Sequence, residues 1–124
     1  MNENAKNWVT ALRSGEYSQC QGSLRRGDSF CCLGVACDLY AKEHTDGFWF
    51  TREETNSVEF DSRTGVRSGV LPECVKDWLG MRTNTGIYED ASGKNLPHLN
   101  DNQKWSFNQI ADFIEQHQEE LFHE

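Results

Sequence analysis

The sequence lacks long apolar segments and is short of basic residues, and each absence argues against a class of protein. No apolar run approaches the ~20 residues that a helix needs to cross a bilayer, so we expect no membrane partner. The first residues, MNENAKNW, lack the regions of a signal peptide, and we expect a cytoplasmic protein. Lysine and arginine total 12 against 20 acidic residues, a net charge of -8. This balance argues against direct nucleic-acid binding, which depends on neutralising phosphates.

The five cysteines match neither a disulfide framework nor a metal-binding spacing. Their number is odd, and cytosolic thiols stay reduced, so we expect free buried thiols. The sequence contains no C-x-x-C, and Cys32 and Cys37 would lie on different faces of a helix. Gly-rich phosphate loops, metalloprotease helices and paired carboxylates are also missing. We therefore expect no bound metal and no cofactor.

The stretch from Ser29 to Glu43, SFCCLGVACDLYAKE, is predicted to form the central helix, with Ser29 as its N-cap. Apolar residues cover most of its circumference, which is typical of a helix surrounded by the rest of a small domain. The residues expected to be inaccessible are Cys32, Leu33, Ala36 and Leu39. A narrow side facing solvent or a cleft is expected to hold Cys31, Gly34, Asp38 and Lys42.

The remaining elements predict an α+β fold, a small antiparallel sheet packed with about four helices, as a single domain over residues 1–124. Ser106 and Gln109 form a capping-box pattern, and Arg25-Arg26-Gly27-Asp28 is interpreted as a solvated turn. Further helices are expected over 5–13, 72–79 and 106–121, strands over 48–51, 58–60 and 86–88, and an extended segment over 96–101.

Cys31 and Cys32 are the residues most suited to covalent chemistry. They lie in the predicted first turn of the central helix, where the helix N-terminus lowers the pKa of a thiol. A nucleophilic thiol needs a base, and His98, close to Asn100 and Asp101, is the best candidate. The alternative, which we favour, is that both cysteines are small buried hydrophobic residues.

Motifs spread along the chain carry a family resemblance. They are W-x2-A-L-R-S-G-x-Y-x-Q (8–19), G-x-L (22–24), F-C-C-L-G-V-x-C-D-L (30–39), L-P-x2-V-x2-W-L-G (71–80), L-N-D (99–101) and S-F-x2-I-A (106–111). Together they resemble a family of small proteins encoded by bacteriophages and prophages. The resemblance implies a phage accessory protein that acts in the cytoplasm of the bacterial host.

A second resemblance is local. Cys32-Leu33-Gly34-Val35, with Tyr40 eight residues after the cysteine, is similar to the D-C-S-G-L-V…Y helix of NlpC-like cysteine peptidases. Gly86-Ile87-Tyr88 is similar to their later H-x-G-I-Y strand. The chain departs from the pattern at three positions: Cys31 replaces the aspartate, Leu33 the serine, and Asn84 the base. The ordinary peptidase mechanism would therefore require His98 to act as the base.

Two hypotheses of different class follow. The favoured one is a non-enzymatic binding protein that inhibits a host defence protein with a basic surface or sequesters a small signalling molecule. The alternative is a small cysteine hydrolase or transferase that uses Cys31 or Cys32. Acidic residues would steer a basic partner, and aromatic residues would line a small-molecule pocket. The residues expected to contact a partner are Trp49, Glu53, Glu54, Tyr88, Glu89, Asp90, Asn100, Asp101 and Trp105.

Overall fold

The predicted α+β fold is confirmed by a computed structural model, which describes residues 1–88 and 94–123. Its α-helices are α1 (Glu3–Arg13), α2 (Cys32–Glu43), α3 (Glu73–Leu79), α4 (Phe107–Gln116) and α5 (Gln118–Leu121). A π-helical segment, His98–Asn102, precedes α4. The strands are β1 (Ser18–Gln19), β2 (Arg25–Arg26), β3 (Ser29–Phe30), β4 (Gly47–Thr51), β5 (Val58–Ser62) and β6 (Gly65–Arg67). No described helix is long and apolar enough to cross a bilayer.

The strands form two three-stranded sheets. The predicted hairpin is the β4–β5 pair, in which Trp49 lies opposite Phe60, and β6 extends it to an antiparallel sheet. The second sheet has the order β1-β3-β2, with β1 parallel and β2 antiparallel to β3. Strands β2 and β3 are joined by the two-residue turn Gly27-Asp28, where Gly27 has a φ of 56°. Glycine adopts this positive φ without a steric cost, so the hairpin turns sharply.

Helix α2 is the predicted central helix, but its N-terminus lies deeper in the protein than expected. The N-cap is Cys31, whose Sγ accepts a hydrogen bond from the Gly34 N–H at 3.4 Å. Ser29 belongs to strand β3 instead, and Cys31 is therefore buried rather than on a polar side. Gly34 is also buried, against the backbone of Leu24. Leu39, which was expected to be inaccessible, is only partly buried.

Helices α1 and α4 pack on each other, and α1 also packs on the central helix. Trp8 of α1 is fully buried, and its Nε1 donates a hydrogen bond to the carbonyl of Cys32 at 2.9 Å. Helix α4 begins with the predicted capping box of Ser106 and Gln109. It ends at Gln116, earlier than expected, because His117 leaves the helical conformation at φ -121° and ψ 35°. Helix α5 then continues to Leu121.

The region before α4 differs most from the sequence prediction. Gly86-Ile87-Tyr88 forms no strand, because Thr83 Oγ1 accepts hydrogen bonds from Gly86 N–H and Ile87 N–H and holds them in a turn. The segment 96–101 is helical rather than extended, with Pro97 at φ -56° and ψ -35°. Burial of Leu96 offsets the steric preference of a residue before proline for extended backbone.

Candidate functional site: an arginine cleft beside an aromatic cleft

A cleft lies between the β2–β3 hairpin and the loop that joins β4 to β5. Its volume is about 420 Å³, which falls within the range of small-molecule sites. We call it the arginine cleft. Its lining residues are Ser23, Arg25, Arg26, Gly27, Asn56, Ser57, Val58 and Ser68.

The hairpin wall of the arginine cleft holds Arg25 in one orientation. The Nε of Arg25 donates a hydrogen bond to the carbonyl of Gly27 at 2.6 Å. Its guanidinium carbon lies 5.0 Å from the ring centre of Phe30 and 5.4 Å from that of Trp49. Only 23% of the Arg25 side chain is exposed. Because rings and backbone already order this guanidinium, binding an anion costs it little conformational entropy.

The opposite wall is built by the tip of the β4–β5 hairpin. Arg52 N–H donates to the carbonyl of Ser57 at 2.9 Å, and Asn56 N–H donates to the carbonyl of Arg52 at 2.8 Å. Asn56 adopts a φ of 58°, a left-handed conformation that asparagine tolerates better than most residues. This local turn places Asn56 and Ser57 against the arginine hairpin. The amide side chain of Asn56 is a hydrogen-bonding group in the lining of the cleft.

A backbone contact joins the arginine hairpin to the end of β6. Leu24 N–H donates to the carbonyl of Ser68 at 2.7 Å. The carbonyl of Leu24 in turn accepts a hydrogen bond from Cys31 N–H at 3.0 Å, and this bond connects the cleft to the start of α2. The cleft is therefore built on the core of the protein rather than on a single surface loop.

The charge of the arginine cleft is opposite to that of the whole chain. Its lining includes Arg25 and Arg26 but no carboxylate, whereas the chain carries a net charge of -8. Asp28 Oδ1 lies 3.5 Å from Arg25 Nη2, but its side chain is fully exposed, so water screens the pair. Among the described residues, no carboxylate pairs with Arg26. The lining of the cleft therefore carries an excess of positive charge.

The carboxylate that Ser57 contacts is already paired with an arginine. Glu59 accepts two hydrogen bonds from Arg52, at 2.8 and 3.0 Å, and a third from Ser57 Oγ at 3.0 Å. The Arg52 guanidinium is the main cause of the lowered pKa of Glu59. Because the charges of Arg52 and Glu59 cancel each other, Glu59 repels an anion in the cleft only weakly.

A second cleft adjoins the first and shares Arg25 and Val58 with it. We call this smaller space of about 200 Å³ the aromatic cleft; its lining is completed by Trp49, Phe50 and Thr51. The Trp49 indole is fixed, since its Nε1 donates to Asp38 Oδ1 at 3.1 Å. Its ring also packs edge-to-face on Phe60, with the ring centres 4.8 Å apart. The two clefts together present a polar, basic compartment beside an aromatic one.

Comparison with known families decides what the chain belongs to. A family model described as a domain of unknown function, DUF8296, matches residues 1–118. The chain is a member of the DUF8296 family. The match includes every residue of both clefts. No curated protein and no solved structure matches the chain.

In the structure of this DUF8296 chain, the residues predicted to contact a partner lie in different places. Trp49 borders the aromatic cleft. Glu53 and Glu54 are exposed in the β4–β5 loop but do not line either cleft. Glu89 and Asp90 lie outside the described residues.

The other predicted aromatic residues belong to a different cluster. Tyr88 and Trp105 both pack edge-to-face on Phe113 of α4, with ring centres 4.6 and 5.9 Å from it. Among the described ring contacts, none joins either residue to Trp49. The aromatic residues predicted from the sequence therefore do not form one pocket.

Asn100 is fully buried and acts as a structural link. Its Oδ1 accepts from Gln19 Nε2 at 2.8 Å and from Cys32 N–H at 3.2 Å. Its Nδ2 donates at 2.8 Å to the carbonyl of Cys20 and to Asp101. These bonds leave Asn100 no exposed group for a partner, and they direct Asp101 toward the protein itself.

The predicted catalytic residues are not arranged around an accessible thiol. Burial raises the pKa of Cys31 to about 12 and that of Cys32 well above its usual value, so both thiols are neutral at physiological pH. Cys32 Sγ is a weak donor to the carbonyl of Leu96 at 3.9 Å. The ring of His98 lies near Gln103, and no hydrogen bond among the described residues joins it to a cysteine. These contacts favour a structural role for both cysteines.

We expect the cysteines of the native protein to react slowly with a thiol reagent, because all five are free and buried. Absorbance during reaction with an aromatic disulfide at pH 8 measures the rates, with the urea-denatured chain as reference. Slow release of all five thiols in the native protein is the expected result. One fast thiol, lost on Cys31→Ser or Cys32→Ser, would instead support the hydrolase hypothesis.

Sequence reasoning did not identify Arg25 and Arg26 as candidate binding residues, because it interpreted them as a solvated turn. The available signal was an Arg-Arg pair next to glycine, in a chain with an excess of acidic residues. The two arginines line a cleft only because residues 56–58 and Ser68 form its other walls.

Described His, Cys, Asp and Glu side chains form no cluster of three that could hold a metal ion.

Proposed function

We propose that this DUF8296 protein is a non-enzymatic binding protein that sequesters a small anionic signalling molecule in the arginine cleft. The observation that carries the proposal is the charge of this cleft, with two arginines and no carboxylate in its lining. An anion there gains charge-assisted hydrogen bonds from the ordered guanidinium of Arg25. The resemblance to phage proteins supports a role in the cytoplasm of a bacterial host, where removing a signal would benefit the phage.

The cleft favours binding over catalysis. Its lining contains no histidine, cysteine or carboxylate that could move a proton or attack a substrate. Its Asn56 side chain suits hydrogen bonding to an uncharged or anionic oxygen. The groups present therefore support capture and retention of a ligand.

Substitution of Arg26 tests the proposal. We expect Arg26→Gln to weaken the binding of inorganic pyrophosphate by about tenfold or more, because a hydrogen bond to a charged group is lost. Isothermal titration calorimetry at two salt concentrations measures the dissociation constant. Added salt should weaken wild-type binding, since the attraction is electrostatic.

Arg63→Gln is the matched control because it removes the same charge outside the cleft. The Arg63 side chain is 65% exposed and lies 3.4 Å from Asp46. Equal weakening by both substitutions would show that only net charge matters, and it would count against the arginine cleft. Absence of pyrophosphate binding by the wild type would also count against it.

A second candidate function is inhibition of a host protein that has a basic, partly apolar surface. The outer face of the β4–β6 sheet supports it, because Phe48 and Val66 are 53% and 41% exposed. Both residues lie directly opposite Asp61 in the strand register. Exposed apolar groups around a carboxylate suit a partner surface in which a cation is surrounded by apolar residues.

Association kinetics test this second function. A host protein captured from lysate should bind the wild type more slowly as salt rises, because salt screens steering by acidic residues. Phe48→Asp should abolish its capture, whereas the Arg26→Gln protein should still capture it. Capture that survives Phe48→Asp would exclude this sheet face as the binding surface.

A further inference from the structure

If the proposed anion binding is correct, the aromatic cleft indicates which class of anion the protein binds. We infer that the ligand is a nucleotide, with its phosphates in the arginine cleft and its base in the aromatic cleft. The two clefts share Arg25 and Val58, so one molecule can occupy both. A simple inorganic anion would leave the aromatic cleft unused.

The aromatic cleft presents two aromatic side chains that a flat ring can contact. Trp49 and Phe50 are consecutive residues of β4, the outermost strand of its sheet, so the cleft runs across the sheet edge. Contacts with Asp38 and Phe60 fix the indole of Trp49. Phe50 is partly exposed, and its ring centre lies 5.7 Å from the guanidinium carbon of Arg52. A base placed here would contact aromatic surface that the protein does not bury.

Arg25 connects the two compartments. Its guanidinium lies over Phe30 and Trp49 while it also lines the arginine cleft. One arginine can therefore contact a phosphate and form one side of the base site. Thr51 supplies a hydroxyl at the aromatic cleft that can hydrogen-bond to the edge of a base. Together these groups match a molecule that carries phosphate at one end and a planar polar ring at the other.

Calorimetric titration with pyrophosphate and with the four common ribonucleoside diphosphates tests the inference. We expect at least one nucleoside diphosphate to bind about tenfold or more tightly than pyrophosphate, because stacking of a base on aromatic residues adds to affinity. Phe50→Leu should remove most of that difference and leave pyrophosphate binding unchanged. Arg26→Gln should weaken both kinds of ligand.

Phe48→Leu is the matched control, since Phe48 lies on the same strand but outside both clefts. The Phe48→Leu protein should bind nucleotides as tightly as the wild type. Thermal unfolding should show that the Phe48→Leu and Phe50→Leu proteins are both folded. Equal affinity of the wild type for pyrophosphate and all four nucleotides would overturn the nucleotide assignment and leave the anion proposal standing. If neither pyrophosphate nor any of these nucleotides binds, both are overturned.

Discussion

Replacing Gly34 by alanine is expected to reduce the free energy of unfolding by about 3 kcal/mol or more, the upper end of the cost of overpacking a core. An added Cβ at Gly34 would lie 1.9 Å from the carbonyl oxygen of Leu24 and 2.8 Å from its carbonyl carbon. Both are backbone atoms that a rotamer change cannot move. The same Leu24 carbonyl accepts the hydrogen bond of Cys31 N–H, so a shift would also disturb the N-cap of α2.

The direction of this effect is informative because helix propensity predicts the opposite. Gly34 is the third residue of α2, and alanine is normally more favourable than glycine within a helix, by up to about 0.5–1 kcal/mol. Urea unfolding followed by circular dichroism measures the change. Gly69→Ala is the control, since nothing lies within 4 Å of its added Cβ, and its stability should be nearly unchanged. A neutral or stabilising Gly34→Ala would show that α2 does not pack on Leu24.

Replacing Asn100 by alanine is expected to destabilise the protein by about 2–5 kcal/mol, because each buried polar group left without a partner costs about 1–3 kcal/mol. The Cys32 N–H and the Cys20 carbonyl would both lose the side chain that satisfies them. Asn100 is fully buried, so water does not readily replace it. The substitution would disconnect β1, α2 and the π-helical segment at one point.

Asn102→Ala provides the matched control for Asn100. It removes the same side chain from the same π-helical segment, but at an exposed position. Chemical unfolding of both variants should give a large loss for Asn100→Ala and almost none for Asn102→Ala. Equal losses would mean that the segment tolerates alanine poorly for backbone reasons, and the proposed link through the amide would be wrong.

Much of the fold was predictable because its signals are local. The capping box at Ser106 and Gln109 forms as the sequence indicates, and Gly80 ends α3 in the left-handed conformation. The β-forming residues of 48–51 and 58–60 form the predicted hairpin. Such signals need only neighbouring residues, so the sequence is sufficient to read them.

The segments around Leu96 were not predictable, because distant residues determine them. Leu96 N–H donates to the carbonyl of Thr85 at 3.1 Å, and the Leu96 side chain contacts the position of Gly86. The local preference before Pro97 for extended backbone is outweighed once Leu96 and Leu99 are buried. Similarly, the interior position of Cys31 follows from strand β3, which forms only when β1 and β2 pair with it.

By itself, the sequence determined the α+β class, the central position of α2 and the burial of the five cysteines. These features follow from composition and periodicity, which decide which segments are buried. Only the tertiary structure decided where basic side chains lie together. Arg25 and Arg26 line a cleft because residues 56–58 and Ser68 fold against them from distant parts of the chain. Asn100 is likewise a buried link only because Gln19, Cys20 and Cys32 surround it. Electrostatic and hydrogen-bonding environments depend on distances in space, which a linear pattern does not contain.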